Sequence, residues 1–308
     1  MKISICTPTY NEKGNILKLY TEIKKVFEEI KIEYEHVVID NNSDDGTIEI
    51  LKDICKKDKN FKKIINQKNY GHIKSPFHGL LQTTGDATIL MSSDFQDPID
   101  LIPKYIEKWK NGEKIVLGKK TSSDETKIFF SLRNFYYKFL NFISEDDLTL
   151  NTTGSGIFDK KVIEELKKIK DPYPYFRGLI TELGFKISFL NFNQPKRFAG
   201  KTKNNFFTLY DIAMLGLVKH SRKPLRFMVL VGFFSSFISF LTGLIYLFYK
   251  IIFWNSFSLG IAPIVIGLFL IASIQITLLG LVGEYIGVIL LNQKQTPLVI
   301  EKERVNFD

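Results

Sequence analysis

Apolar and polar positions follow two rhythms over the first 120 residues. Residues 2–9 (KISICTPT) are apolar or small and read as a strand, ended by Pro8 and the loop Tyr10-Asn11-Glu12. From about Gly14 to Ile30, the residues Ile16, Leu19, Ile23, Val26, Phe27 and Ile30 recur at helical spacing on one face. His36 to Ile39 is a second short apolar strand, ending at Asp40 in DNNSDDGT. A helix of about residues 47–58 follows, with Asp45 or Thr47 as its cap. Lys63 to Asn66 reads as a third strand. After Asn69-Tyr70-Gly71 comes a helix from about Ile73 to Thr84. Ala87 to Leu90 is a fourth strand, followed by a helix over 99–111 and a strand from Ile115 to Gly118. Strands and helices alternating over short connections predict an α/β domain with a mostly parallel sheet covered on both faces.

The second half is less regular. Residues 126–143 are aromatic and basic (Phe129, Phe130, Arg133, Phe135, Tyr136, Tyr137, Phe139) and read as a core helix or as a membrane-surface segment. Thr152 to Phe158 (TTGSGIF) reads as a small-residue loop, in which Gly154 and Gly156 allow close backbone approach. A helix is expected at about 160–169 and an edge strand over Phe185 to Phe192. Asn204 to Lys219 is amphipathic and reads as an interfacial helix.

Then the pattern changes. Phe227 to Phe248 carries no charge, and at 1.5 Å per residue it spans roughly 33 Å, against a hydrocarbon core of ~30 Å. Leu259 to Val282 repeats this. The expected organisation is a catalytic domain over 1–203, a juxtamembrane helix over 204–224, a two-helix transmembrane hairpin within 225–291 (about 227–248 and 259–282) and a tail over 292–308. Lys219, Arg222, Lys223 and Arg226 before the first span, with Lys294, Lys302 and Arg304 after the second, outweigh the lone Lys250 between them. The positive-inside rule then puts the domain and both termini in the cytoplasm, on a multi-pass membrane protein. Glu284 lies near the end of the second span, a costly place for a charge. Its candidate partners are Arg226 and a neighbouring subunit, so a homo-oligomer is one candidate assembly.

Charge and cysteine content narrow the partners. A formal net charge of +9 suits nucleic acid, anionic lipid or a phosphorylated substrate. No basic patch interleaved with aromatics of the single-strand-binding kind is present, so nucleic acid is not expected. Cys6 and Cys55 have no metal-site spacing and read as reduced thiols. The opening MKISICTPTYNEKG enters a strand directly and does not read as a signal peptide.

The densest chemistry lies in MSSDFQDP, Met91 to Pro98. A buried strand ending in carboxylate and amide oxygens sits where open α/β sheets bind ligands. The hard oxygens of Asp94 and Gln96 suit Mg²⁺ or Mn²⁺, which usually arrive bridged to phosphate. The competing reading is a helix start, with Asp97 as the cap and Pro98 in the first turn. Right-handed crossovers bring Asn11, Asp40 and Asp94 to one edge of the sheet, outlining a nucleotide-sized crevice.

These motifs carry a resemblance. TPTYNE (7–12), DNNSDDGT (40–47), NYGHIKSPFHGLLQTTGD (69–86), SDFQDP (93–98), RGL (177–179), RFAGKTK (197–203) and GEYIG (283–287) occur in an order that resembles the family-2 glycosyltransferases of GT-A fold. Within these, the chain resembles the polyprenyl-phosphate sugar transferases, the dolichol-phosphate mannose synthase and bacterial undecaprenyl-phosphate glucosyltransferase group. The resemblance implies a GT-A nucleotide-sugar-binding domain in a bacterial inner membrane. It implies inverting transfer of a sugar from a nucleoside-diphosphate sugar, a UDP-sugar favoured, to a polyprenyl phosphate for cell-surface glycan assembly. It places Pro8, Tyr10, Glu12, Asp40, Asn69 and Gly71 on the donor, and Asp94 and Gln96 on the metal. Arg197 and Lys203 would approach phosphates, and Lys120 and Arg133 the lipid phosphate. A hydroxyl acceptor would need a base, for which Glu182 and Asp97 are candidates. A third reading is a non-catalytic nucleotide-sugar-binding scaffold.

The chain departs from the family pattern twice. Ser92 stands where the usual Asp-Ala-Asp motif has its first Asp. Asp40-Asn41 stands where a pair of Asp residues is usual, which leaves uracil and guanine both open as the donor base.

Overall fold

The structure, a computed structural model, describes residues 1–122, 152–195, 198, 223–253, 261–293 and 296–307. The expected segment 126–143 and the interfacial helix 204–219 lie outside the described residues, as do Arg133, Arg197 and Lys203.

The alternation read from the sequence is present. Strands β1 (Lys2–Thr9), β2 (Glu33–Asp40), β3 (Phe61–Asn66) and β4 (Ala87–Leu90) alternate with helices α1 (Ile16–Ile30), α2 (Thr47–Lys57), α3 (Gly71–Leu81) and α4 (Leu101–Lys110). After β5 (Ile115–Ser122) come β6 (Thr152–Asp159), α5 (Lys160–Lys168), α6 (Phe176–Glu182) and β7 (Ile187–Asn193). Two long helices, α7 (Lys223–Ile252) and α8 (Ile261–Gln293), precede a last strand, β8 (Glu301–Val305). All eight strands form one sheet in the order β7-β5-β6-β4-β1-β2-β3-β8. β1 pairs in parallel with β2 and β4, β2 with β3, and β5 with β7. β6 and β8 run antiparallel to their neighbours.

One face of the sheet packs Ile16, Leu19, Ile23 and Phe27 of α1 with Leu101, Ile102, Tyr105 and Ile106 of α4 against strand residues such as Ile3, Ile5 and Ile89. The other packs Phe77 and Leu80 of α3 with Val162, Ile163 and Leu166 of α5 against Cys6, Leu117 and Phe158. Burial on both faces explains why these strands read as continuous apolar runs.

Three expectations are corrected. TTGSGIF is a strand: Leu90 pairs with Gly156, and Gly156 pairs in turn with Leu117. A Cβ at Gly156 would lie 2.3 Å from the Val116 carbonyl oxygen, so the small residue that suggested a loop is what lets β6 fit between β4 and β5. The tail is not separate from the domain, since β8 closes the sheet edge on β3. There Glu303 meets the buried Lys63 at 2.7 Å, and Glu301 meets His78 of α3 at 2.6 Å. The Asn306 side chain donates to the carbonyls of Cys55, Asp58 and Phe61. Asp97 caps nothing, since α4 starts at Leu101 with Asp100 before it.

α7 and α8 are 30 and 33 residues long. Phe227, Phe233, Ile245, Ile276 and Leu279 are among their exposed apolar side chains. Taken over the described residues, no helix is long and apolar enough to cross a membrane, so the structure does not establish the expected hairpin.

Candidate active site

The carboxyl ends of β1, β2, β3 and β4 share one edge of the sheet, because Thr9 is level with Asp40, Asp40 with Ile65, and Cys6 with Leu90. Each strand leads into a polar loop there.

The loops after β1 and β2 are tied together. Asn11, at φ 57°, donates through its backbone N–H to Ser43 Oγ (2.8 Å) and through Nδ2 to Asp44 Oδ1 (2.7 Å). The Asp44 N–H returns a bond to Asn11 Oδ1 (3.0 Å). The Glu12 N–H donates to Thr47 Oγ1 (3.0 Å), and the Lys13 N–H to Asp45 Oδ2 (3.1 Å). Asp45 also accepts from the Thr47 N–H (3.0 Å), but Gly46 holds the N-cap position of α2, so neither Asp45 nor Thr47 is the cap expected from the sequence. Pro8, Tyr10 and Glu12 are half-buried at this rim.

Asp40 lies beneath the rim and is fully buried. Its Oδ1 accepts from the Ser43 N–H (2.8 Å), and its Oδ2 from Ser43 Oγ (2.6 Å) and Thr9 Oγ1 (3.1 Å). Burial raises its pKa, and the bonds from Ser43 and Thr9 oppose that shift. With both oxygens engaged, Asp40 ties the end of β1 to the loop after β2.

Asn41 joins the third loop to these two. Its Nδ2 donates to Asn69 Oδ1 (2.8 Å) and to the Gly71 carbonyl (3.1 Å). Its Oδ1 accepts from Asn66 Nδ2 (3.1 Å) and the Tyr70 N–H (2.8 Å). Gly71 sits at φ 83°, a backbone region that glycine enters freely. An amide is needed at residue 41, because a carboxylate has no hydrogens for the two acceptors it faces. The departure at Asn41 therefore has a structural reason that the sequence did not show.

The turn after β4 holds the acidic group. Asp94 is buried, and its Oδ1 accepts from the Gln96 N–H (3.1 Å). Asp97 is buried as well. Its Oδ2 accepts from the Ser92 N–H (3.0 Å), Ser92 Oγ (2.6 Å) and Ser155 Oγ (2.6 Å). Asp97 thus fastens the turn to β6, and one of its oxygens is fully committed, which suits positioning better than proton transfer. Among the described residues, no three His, Cys, Asp or Glu side chains gather as a metal site. Asp94 and Gln96 could offer at most two side-chain oxygens, against the six or more that Mg²⁺ or Mn²⁺ takes, so they would suit only a cation that shares its shell with a diphosphate and water.

Lys120 lies at the far end of β5 on the same edge, half-buried. Arg177, unassigned in the sequence reading although part of RGL, also reaches it: its Nε is 3.8 Å from where a Gly154 Cβ would sit. The contact depends on the positive φ of Gly154, 83°, and only the fold reveals it. Glu182 is exposed at the other end of α6, about 7 Å further along the axis by helical rise.

The Glycosyl transferase family 2 profile matches residues 4–167. The chain is 32% identical over 310 residues to a Bacillus subtilis protein named Uncharacterized glycosyltransferase YkcC, covering 100% of this chain and 95% of the relative. It is 31% identical over 306 residues to the Bactoprenol glucosyl transferase of Shigella phage SfX, covering 99% and 100%. The crystal structure of glucosyl-3-phosphoglycerate synthase from Mycobacterium tuberculosis, in complex with Mn²⁺, UDP and glucosyl-3-phosphoglycerate, superposes with a TM-score of 0.51 at 16% identity. That match covers 70% of this chain and 77% of the synthase, and it supports the fold. With one sheet edge collecting the polar loops, and with a match that runs from Ser4 in β1 to Lys167 in α5, the chain belongs to glycosyl transferase family 2.

Proposed function

We propose that the protein transfers a sugar from a nucleoside-diphosphate sugar, a UDP-sugar favoured, to a polyprenyl phosphate at a membrane surface. The observation that carries this reading is the extent of the likeness to Bactoprenol glucosyl transferase, which spans 99% of the chain and so includes the two long helices and the last strand. Similarity confined to the nucleotide-sugar domain would leave the acceptor open. The Mn²⁺ and UDP held by the Mycobacterium tuberculosis synthase are consistent with the donor side of the proposal.

In this reading an acceptor phosphate oxygen bonds to the anomeric carbon as the bond to the diphosphate oxygen breaks, with inversion and loss of a nucleoside diphosphate. A phosphate monoester is already anionic near pH 7, with a second pKa of about 6, so no general base is needed. The chain's task is positioning. The loops of β1, β2 and β3 hold the nucleoside end of the donor, while Arg177 and Lys120 bring positive charge to the same edge. Mg²⁺ or Mn²⁺, held by the Asp94 carboxylate and the Gln96 amide oxygen, would supply electrostatic stabilisation of the leaving diphosphate.

The anchoring proposal rests on α7 and α8. Phe227 to Phe248 and Ile261 to Val282 carry no Asp, Glu, Lys or Arg. Exposed side chains such as Phe233 and Leu279 make an apolar surface that water solvates poorly. Because β8 rejoins the sheet after α8, the chain would cross a bilayer an even number of times, as two antiparallel spans do. The domain and both ends would then share the cytoplasmic side.

The test is direct. Purified full-length protein with Mn²⁺, undecaprenyl phosphate and a panel of labelled nucleotide sugars should move label into the organic phase. Glu182→Gln should retain that activity. No lipid label from any donor, or its loss in Glu182→Gln, would overturn the phosphate-acceptor reading.

A further inference from the structure

Phe95 stands between Asp94 and Gln96 with φ at 62°. A bulky side chain in this left-handed region is strained, and a glycine there would avoid the strain. Such strain persists where the surroundings fix it, often at functional sites. Here the surroundings are visible. The Phe198 ring packs on the Phe95 ring with centroids 5.6 Å apart and a 57° tilt. Lys18 Nζ, from the exposed face of α1, lies 3.7 Å from the Phe198 ring centroid and 5.4 Å from that of Phe95. The Phe198 N–H donates to the Asp94 carbonyl oxygen (3.2 Å). Phe198 is otherwise 56% exposed, so burial alone does not account for its place.

Three distant parts of the chain thus meet at one peptide: α1 through Lys18, the β4–α4 turn through Phe95, and the stretch beyond β7 through Phe198. The ring pair and its cation offset the strain at residue 95. That backbone shape lets the Asp94 carbonyl face Phe198 while the Asp94 carboxylate accepts from Gln96. We infer that Lys18, Phe95 and Phe198 are positioning residues that clamp the acidic turn and set the aim of Asp94 toward the cation accompanying the donor diphosphate. The inference rests on the proposed donor and metal chemistry, and it assigns that site three residues that hold no ligand themselves.

The clamp is tested by Mn²⁺ binding to full-length protein in detergent, read by electron paramagnetic resonance with UDP present, beside thermal melts of the same samples. Phe198→Ala keeps the N–H and removes the ring; it should weaken Mn²⁺–UDP binding about tenfold, the scale expected for loss of support behind a metal ligand. Phe95→Gly should weaken it comparably while relieving the strain. Lys18→Met should cost about threefold, a cation–ring contribution, and Lys18→Arg should restore binding. Lys18 is a surface residue, so this pair keeps the test decisive if a ring variant does not fold. Wild-type affinity in Phe198→Ala or Lys18→Met would overturn the clamp. So would losses that simply follow falling melting temperatures and that arginine does not rescue. A wild-type chain that binds no Mn²⁺–UDP would instead overturn the donor chemistry beneath it.

Discussion

The two halves of the polar sheet edge are built differently. On the β1–β3 side, Asn11 bonds to Ser43, Ser43 to Asp40, Glu12 to Thr47, and Asn41 to Asn69 and Tyr70, across three loops. On the β4 side, the acidic turn is held by Asp97 from below and by two aromatic rings and a lysine from above. The first half is a hydrogen-bonded wall complete in itself. The second carries a strained backbone at Phe95, beside the residues proposed to hold the cation, and relies on distant residues to hold it. Under the proposed function, a wall that only recognises can be stiff and local, whereas the part that would manage charge is held by groups that can be altered without touching the ligand.

The largest separation of the two halves should come from Asp94→Asn. It should lower turnover about 10²- to 10³-fold, the scale of losing one electrostatic stabiliser, with little change in melting temperature. A comparable loss of stability would show that the turn is structural after all.

Next is the outer edge of the wall, where Lys63 is buried and Glu303 is partly exposed. Glu303→Ala leaves Lys63 without its carboxylate and should destabilise the domain by about 2 kcal/mol, a buried-pair loss discounted for the exposure of Glu303. Lys63→Met in the same chain should recover most of that. Denaturant melts of the two variants decide it, and an additive double variant would deny the coupling.

Asn41→Asp should act on the wall alone. Facing Asn69 Oδ1 and the Gly71 carbonyl with a carboxylate should raise donor KM roughly tenfold, the equivalent of about one uncompensated buried acceptor, and leave kcat nearly unchanged. A fall in kcat at constant KM would mean that the two halves are not separable.

The smallest effect is pH dependence beneath the wall. His36 is fully buried, bonded through Nε2 to Thr7 Oγ1, and burial lowers its pKa to about 3. The unfolded chain takes up this proton near the ordinary histidine value, while the folded chain stays neutral. Stability is therefore complete above about pH 6.5 and declines as pH falls toward 3, by up to about 1.4 kcal/mol per unit from this group. Melts at pH 7.5 and 5.5 should show the decline, and His36→Leu should flatten it.

The sequence disclosed what local periodicity controls. β1 to β4 and α1 to α4 appear within a few residues of their expected bounds, because helical and continuous apolar runs mark them. The acidic turn was legible because it ends a buried strand. The failures share a cause, which is contact between distant segments. β6 looked like a loop because the glycine that admits it between two strands is also common in turns. β8 is too charged to read as a strand, and its purpose lies in Lys63 and His78, more than 220 residues earlier. Arg177, Phe198 and the committed oxygen of Asp97 take on meaning only when β6, α6 and the β4 turn lie side by side.

The late arrival of β8 constrains how the protein is made. During synthesis, β1 to β7 leave the ribosome well before residues 301–305, with both long helices translated in between. Until Glu303 emerges, Lys63 stands at an open sheet edge without this counter-charge, so the nascent domain waits for a strand made after both long helices. A ribosome stalled just short of residue 301 would leave that edge uncovered, so the sheet is completed only after both long helices have been made.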